Sequence, residues 1–351
     1  MKFALKTLVA SCALALTVGL AHAQDLAPLN SDTEKDRIDW SQLQSKFGDV
    51  PAAAQGTRIG GVSKTLTNEY WRTLGEGYQN YAKSHGVEVT YQAAQSEGDQ
   101  LGQLSITENL ISQGFKALLL SPQTDSNLQP AVESAESSGV PVINVNDAVI
   151  PSAKHYVGNV QRDNGVKVAE WFLKNRPQGG KVAVIEGQAG VYAAGQRTKG
   201  FSETITKDGK FKVVASVPGN WDRQLAYDTA ATILQQNPDL VGFYANNDGM
   251  ALGVIEAVKA AGAKDKVVVF GTDGISDAYA SIKAGDLTGT VDSFPELTGE
   301  VAMETALRLL GKQALPRVVA TPQALITKDN VDTFSAKGDD LRQVLLKQAN
   351  Q

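Results

Sequence analysis

The chain has 351 residues, of which 42 % are hydrophobic and 20 % are charged, and this suits a globular protein with enough length for two domains. Its formal net charge is −5, and no cluster of basic residues stands out, which argues against a nucleic-acid-binding surface. Cys12 is the only cysteine, and if the N-terminal segment that contains it is cleaved, disulfides and cysteine catalysis are both excluded.

The first 23 residues have the pattern of a secretory signal peptide. Lys2 and Lys6 precede an apolar run, and residues 21–23 (AHA) form a small-x-small cleavage site. We therefore expect a soluble, secreted mature protein that begins near Gln24. Loss of the two lysines would leave 31 of the 33 basic residues against 38 acidic ones, a formal charge of −7. Lipidation at Cys12 is the alternative, which is disfavoured because the apolar run continues past the cysteine.

From Thr57 onward, short runs rich in β-branched residues alternate with longer helical patterns. The runs are TRIGGVS, VEVTYQA, ALLLS, VPVINV, KVAVIEG, KVVASV, LVGFYA, KVVVFG and LTGTV. This alternation predicts an α/β protein with doubly wound parallel sheets that helices cover on both faces. The preceding residues 24–56 are polar and predict an N-terminal extension with one short helix around Trp40 to Phe47.

The number of strands is too large for one sheet, and the stretch HYVGNVQRDNG resembles a break between two of them. The first sheet would use the strands up to about Val160, and the second those from Lys181 onward. Parallel doubly wound sheets bind ligands outside the carboxyl ends of their strands. Two such sheets that face each other would enclose a cleft lined by the strand-end loops of both.

The side chains that follow the predicted strands are amides, carboxylates, cations and flat aromatic rings. Amides and carboxylates can each bind adjacent hydroxyl groups in pairs, and Trp71 and Trp221 could sandwich the apolar face of a sugar ring. The pattern therefore favours an uncharged polyhydroxy ligand. The candidates include Lys64, Asn68, Tyr70, Trp71, Asn146, Asp147, Arg197, Trp221, Asn247, Asp273 and Ser293.

The sequence lacks the motifs that most enzyme chemistries require. It has no phosphate-binding loop, no G-x-G-x-x-G turn and no G-x-S-x-G elbow. After signal removal only His85 and His155 remain, so histidine-based metal or nucleophile sites are not expected. We therefore expect neither a metal nor a cofactor. A hydrolase that uses two strand-end carboxylates stays as an alternative.

Several candidates also have a structural interpretation, because Asn and Asp often cap the helix that follows a strand. Asp248, directly before the helical pattern GMALG, is a good cap candidate. We therefore expect Asn247 to contact the ligand and Asp248 to be structural.

Six motifs, in order, resemble the periplasmic ribose- and allose-binding proteins, which are type I solute-binding proteins of ABC importers. They are KTLTNEYW, SEGD, VIEGQAG with Arg197 downstream, NWDR, NNDGMALG and GTDG, and the resemblance covers residues 57–325. It implies a monomeric periplasmic receptor, not an enzyme, whose partners are an ABC permease and its ATPase. It also implies two doubly wound lobes that close on a monosaccharide. Three hinge strands would join the lobes, near Val160, Ser293 and Ala320.

Position by position, the resemblance assigns the sugar contacts to both lobes. They fall on Asn68, Tyr70, Trp71, Arg197, Trp221, Asn247 and Asp273, and Lys64 matches the allose-type branch. Together with the N-terminal pattern, it predicts this division of the chain: the signal peptide (1–23), the extension (24–56), lobe 1 (57–160), lobe 2 (161–292), a return to lobe 1 (293–319), and the last hinge crossing with the C-terminal tail (320–351).

Two positions depart from the family pattern. Asn146, followed by Asp147, replaces an aspartate, and Ser293 replaces a glutamine. These changes would alter which hydroxyl groups find a partner, so a hexose, a pentose, a sugar alcohol and a cyclitol all stay open. A periplasmic subunit that senses the ligand and signals to a membrane kinase or chemoreceptor is the alternative function.

Overall fold

The computed structural model describes residues 26–349. The expected cleavage after Ala23 and the lipidation alternative at Cys12 lie outside these residues. Within them, no helix combines the length and the apolar character that a bilayer-spanning segment requires.

The strands begin and end close to the predicted positions. They are β1 (Arg37–Asp39), β2 (Arg58–Ser63), β3 (Glu88–Ala93), β4 (Ala117–Leu120), β5 (Val142–Val145), β6 (His155–Gly158), β7 (Gly180–Glu186), β8 (Phe211–Pro218), β9 (Leu240–Ala245), β10 (Val268–Asp273), β11 (Gly289–Asp292), β12 (Val318–Ala320) and β13 (Ala324–Thr327). All nine predicted runs form strands. Strands β6 and β12 lie at the positions near Val160 and Ala320 where the family resemblance implied hinge strands, whereas β1 and β13 were not predicted.

The helices fill the intervals between the strands. They are α1 (Leu43–Phe47), α2 (Glu69–His85), α3 (Gln100–Ser112), α4 (Gln129–Ser137), α5 (Gln161–Asn175), α6 (Tyr192–Ile205), α7 (Arg223–Gln236), α8 (Asp248–Ala260), α9 (Ser276–Lys283), α10 (Pro295–Leu310), α11 (Val331–Phe334) and α12 (Gly338–Ala349).

The strands form two sheets. The first has the order β1-β12-β6-β5-β4-β2-β3, and all its strands are parallel. The second has the order β13-β11-β10-β9-β7-β8, and only β13 runs antiparallel to its neighbour. Residues such as Leu118, Leu120, Val184 and Phe270 are fully buried between each sheet and its helices. The predicted fold, two doubly wound parallel-sheet lobes, is therefore confirmed.

The chain passes between the two sheets three times. It leaves the first sheet after β6, returns after β11, and leaves again between β12 and β13. Helix α10 packs on α2 of the first lobe at a contact that only glycine permits. A Cβ atom at Gly77 would lie 2.1 Å from the carbonyl oxygen of Glu296, and one at Gly299 would lie 2.3 Å from that of Leu74.

The N-terminal extension is integrated into the first lobe. The predicted short helix is present, as a 3-10 turn from Trp40 to Gln42 followed by α1. Strand β1 pairs with β12 at the edge of the first sheet, and Trp40 is buried. Helix α12 also contacts this region, because the guanidinium of Arg342 lies 5.2 Å from the Trp40 ring centroid. The same guanidinium lies 3.1 Å from the carboxylate of Glu300 in α10.

Candidate functional site

The carboxyl ends of both parallel sheets face one cavity between the lobes. Protein atoms leave about 280 Å³ of space there, which is an upper limit because part of it is open to solvent. The lining residues are Asn68, Tyr70, Trp71, Glu97, Asp147, Arg197, Trp221, Asn247 and Asp273.

Lys64 and Asp147 form an ion pair on the first lobe. The two residues follow β2 and β5, and Lys64 Nζ lies 2.7 Å from Asp147 Oδ2. The Lys64 ammonium also lies 5.9 Å from the Trp71 ring centroid and 5.5 Å from that of Trp221. These two rings belong to opposite lobes, as the sequence suggested, and the buried lysine lies within cation–π distance of both.

Arg197 and Asp273 form the corresponding pair on the second lobe. Arg197 Nη1 lies 3.7 Å from Asp273 Oδ1 and donates to the backbone oxygen of Asn246 at 2.7 Å. Its Nε donates to Gln161 Oε1 at 3.0 Å, so the planar guanidinium is held by three groups. Burial raises the pKa of the Asp273 carboxyl above its usual range, and the charge of Arg197 opposes this effect.

Several site residues have a backbone conformation that side chains rarely adopt. The φ angles are 40° at Asn146, 63° at Asp147, 66° at Trp221 and 135° at Asp273. Left-handed backbone is uncommon for residues other than glycine and costs free energy, so it tends to persist where the surrounding structure and the function require it. Here it occurs in strand-end loops at the cavity.

The Trp221 ring packs directly on the backbone of Gly187. A Cβ atom at Gly187 would lie 2.0 Å from Trp221 Cη2 and 2.2 Å from Cζ2. Residue 187 directly follows β7, so the ring leans on the end of the strand. A glycine is therefore required at this position for the ring to reach its place on the cavity wall.

Three polar atoms at the cavity have no hydrogen-bond partner among residues 26–349. They are Glu97 Oε2, Asp147 Oδ1 and the indole nitrogen of Trp221. The other oxygen of Glu97 accepts a hydrogen bond from the Trp71 indole at 3.3 Å. Two acceptors and one donor are thus available to a ligand, and each costs about 1–3 kcal/mol if it stays buried and unpaired.

Glu97 was missed by the sequence analysis. It lies in the loop after β3, within the SEGD motif, and no residue of that loop was among the predicted site residues. Burial raises the pKa of its carboxyl, and the Lys64 ammonium opposes this effect. Listing the polar residues after every predicted strand, including VEVTYQA, would have found it.

Asn146 and Ser293 lie behind the cavity wall. The Asn146 amide donates to the Tyr70 hydroxyl at 2.5 Å, and its oxygen accepts from Tyr156 and Gln161, each at 3.2 Å. Ser293 is fully buried, and its hydroxyl accepts from Asn159 Nδ2 at 3.2 Å. Both residues therefore support neighbouring groups at the first two crossings between the sheets. Asp147 is the carboxylate that reaches the cavity from the loop after β5.

The expected roles within NND (residues 246–248) need correction. Asn247, and not Asp248, is the N-cap of α8, because its Oδ1 accepts from Met250 N at 2.9 Å. It lines the cavity as well. Asp248 is structural in another way: its buried carboxylate accepts from Gly274 N, Ile275 N and Thr290 Oγ1, and so fixes the loop that carries Asp273.

Asn246, for which no role was predicted, is buried next to the cavity residue Asn247. Its Oδ1 accepts from Gly187 N at 3.1 Å and from Thr198 Oγ1 at 3.0 Å. Its backbone oxygen binds Arg197, as described above. Asn246 therefore positions two groups: the backbone of Gly187, on which the Trp221 ring packs, and the Arg197 guanidinium.

Comparison with known proteins identifies the family. A family model described as periplasmic binding protein domain matches residues 59–314. The D-allose-binding periplasmic protein of Escherichia coli is 37 % identical over 252 residues, which cover 69 % of this chain and 81 % of that protein. The xylitol-binding protein of Mycolicibacterium smegmatis is 32 % identical over 313 residues, 83 % of this chain and 88 % of that protein.

A solved structure has the same fold. It is an ABC transporter periplasmic solute-binding protein from Actinobacillus succinogenes with bound D-allose. Its TM-score is 0.75 at 30 % identity, and the match covers 79 % of this chain and 99 % of that one. The chain therefore belongs to the periplasmic binding protein domain family.

Proposed function

We propose that this protein captures a monosaccharide or a sugar alcohol between its lobes in the periplasm and delivers it to an ABC importer. The observation that carries the proposal is the set of unpartnered polar atoms, Glu97 Oε2, Asp147 Oδ1 and the Trp221 indole N–H, beside two tryptophan rings. Hydroxyl groups both donate and accept hydrogen bonds, so a polyol can satisfy all three. The names of the relatives above 30 % identity, which include D-allose and xylitol, support the same class.

The charges of the cavity indicate which ligands are excluded. Three carboxylates, Glu97, Asp147 and Asp273, surround the ligand space, against the two cations Lys64 and Arg197. Each cation already has a carboxylate partner. An anionic ligand, such as a sugar acid or a sugar phosphate, would meet Glu97 without a free counter-charge and would be disfavoured. We therefore propose a neutral ligand.

The ligand contacts that we propose are those lining the cavity, together with Lys64, whose ammonium lies 5.9 Å and 5.5 Å from the two tryptophan ring centroids. Asn146 and Ser293 are proposed as supporting residues. We also propose that the three crossings between the sheets are the hinge about which the lobes close. Ligand that bridges both lobes would then shift the population toward the closed form by its differential affinity. Import is favoured over signalling because the D-allose-bound relative at 30 % identity is an ABC transporter protein.

A thermal-shift screen tests the proposed function. The mature protein is unfolded, dialysed to remove bound sugar, refolded and mixed with D-allose, D-ribose, xylitol, myo-inositol and D-glucuronate. A ligand that binds only the native state raises the melting temperature. At a concentration of 100 times its dissociation constant, it stabilises the folded protein by about 2.7 kcal/mol. We expect at least one neutral compound to raise it and D-glucuronate to have no effect. No shift with a wide set of neutral sugars and polyols would contradict the proposal.

We further propose that the signal peptide is removed after Ala23. The pattern of two lysines, an apolar run and AHA supports this site. The mass of the protein from the periplasmic fraction should then correspond to a chain that starts at Gln24. A mass that corresponds to a lipid-modified Cys12 would establish the alternative.

A further inference from the structure

Three helices of the second lobe begin without a cap from their own lobe. The N-cap residues of α5, α6 and α9 are Val160, Val191 and Ile275, whose side chains cannot accept a hydrogen bond. Helices α7 and α8, in contrast, are capped within the lobe, by Asp222 and Asn247. The first backbone N–H groups of a helix have no intrahelical partner, so α5, α6 and α9 need acceptors from elsewhere.

The first lobe supplies the acceptor for α6. Asp125, in the loop after β4, accepts from Tyr192 N at 3.0 Å, and the same oxygen accepts from Val149 N of its own lobe at 3.0 Å. The next N–H of the helix, that of Ala193, donates to the backbone oxygen of Asp147 at 3.1 Å. The start of α6 is therefore bound across the lobe boundary, beside the cavity residue Asp147.

Helix α9 is capped in the same way on the other side of the cavity. Glu69, the first residue of α2, accepts from Ser276 N at 2.8 Å through Oε1 and from Ser276 Oγ at 2.9 Å through Oε2. A carboxylate at a helix N-terminus is favoured both by the hydrogen bond and by the helix dipole.

The third helix, α5, is capped at the first crossing between the sheets. Asp32 of the N-terminal segment accepts from Gln161 N at 2.9 Å and from Arg162 N at 2.8 Å. The segment is anchored to the first lobe, where Leu29 N donates to the backbone oxygen of Pro151 at 2.8 Å. Because α5 directly follows the first crossing, rotation of the lobes would move its start much less than the starts of α6 and α9.

We propose that Asp125 and Glu69 are positioning residues that hold the lobes closed by capping helices of the opposite lobe, without touching the ligand. When the lobes separate, these caps are lost and the helix starts must be hydrated instead. The caps therefore raise the closed fraction, and the apparent affinity for ligand rises with it. This inference rests on the proposed function, in which closure retains the ligand.

The test compares caps between lobes with a cap inside one lobe. The variants are Asp125→Ala, Glu69→Ala and the double variant, and the control is Asp99→Ala, because Asp99 caps α3 within the first lobe through Gly102 N at 3.0 Å. Stopped-flow tryptophan fluorescence measures dissociation of D-allose, or of the compound with the largest shift in the screen. We expect the ligand to dissociate roughly fivefold faster from each single variant, which is the effect of losing one typical cap. From the double variant, which loses two caps, it should dissociate about 25-fold faster. Asp99→Ala should lower the melting temperature and leave dissociation unchanged.

A second measurement does not depend on the ligand. Spin labels at Leu101→Cys in α3 and Leu225→Cys in α7, both exposed and on different lobes, report the distance between the lobes. Without ligand, we expect the double variant to have a smaller closed population than the parent, and Asp99→Ala to match the parent. Equal closed populations and equal dissociation rates in parent and variants would overturn the inference. Failure of every panel compound to bind the parent would instead overturn the proposed function. If Asp125→Ala fails to fold, Glu69→Ala alone decides the outcome.

Discussion

Replacing Asp273 by alanine is expected to weaken ligand binding by about 10- to 100-fold. Hydrogen bonds to a charged group contribute about 1.5–3 kcal/mol each, and a buried carboxylate facing a polyol makes at least one. The substitution also leaves the Arg197 guanidinium without its nearest counter-charge in the cavity, since the two groups lie 3.7 Å apart. Isothermal titration calorimetry with the compound selected by the screen measures the change.

The control for this prediction is Asp265→Ala, an exposed aspartate in the loop before β10. It removes the same charge from the same lobe and should leave the affinity within about twofold, because surface substitutions have small effects. Circular dichroism of both variants verifies that they fold. If Asp273→Ala bound as tightly as the parent protein, Asp273 would not be a ligand contact.

Replacing Gly187 by alanine is expected to displace the Trp221 ring and to weaken binding by about 10-fold or more. The added methyl carbon would lie 2.0 Å from Trp221 Cη2, far inside van der Waals contact. The backbone cannot easily yield, because Gly219 N donates to the Glu186 oxygen at 2.7 Å. The ring must therefore move toward the ligand space, and overpacking of this kind costs about 1–3 kcal/mol. Calorimetry measures the affinity, and thermal unfolding measures the cost in stability.

Gly195→Ala is the matched control. It makes the same substitution in the neighbouring helix α6, where a Cβ atom would meet nothing within 4 Å. It should leave the affinity unchanged and, because alanine favours helix, should not destabilise the protein. Combining Gly187→Ala with Trp221→Phe should recover part of the lost stability, because the smaller ring makes room for the methyl group. Equal affinities of Gly187→Ala and the parent would show that the Trp221 ring does not set the cavity wall.

The sequence alone was sufficient for the parallel sheets and for most of the cavity wall. Hydrophobic runs bounded by glycine-rich turns locate β2 to β5 and β7 to β11, and in parallel sheets the carboxyl ends of strands converge. This is why residues as distant as Asn68, Asp147 and Asp273 could be placed at one site. Strand β1 was missed because three residues of a polar segment carry no periodic signal, and only its pairing with β12 makes it a strand.

The roles of adjacent polar residues could not be read from the sequence. In NND, the side chain that caps α8 is fixed by where β9 ends, and the carboxylate of Asp248 finds its partners in a loop 26 residues away. Asn146 turns away from the cavity because two hydroxyl groups and the Gln161 amide meet it from other elements. The contacts of Asp125 and Glu69 with the second lobe likewise arise only when the lobes meet.

The most direct test of the proposed capture of a neutral polyol is a crystal structure of the refolded protein with the compound selected by the screen. We predict one molecule of it between the rings of Trp71 and Trp221, with hydroxyl groups within hydrogen-bond distance of Asp147 Oδ1 and Glu97 Oε2. A molecule bound outside the cavity between the lobes, or a cavity that contains the compound without contacts to these two carboxylates, would contradict the account.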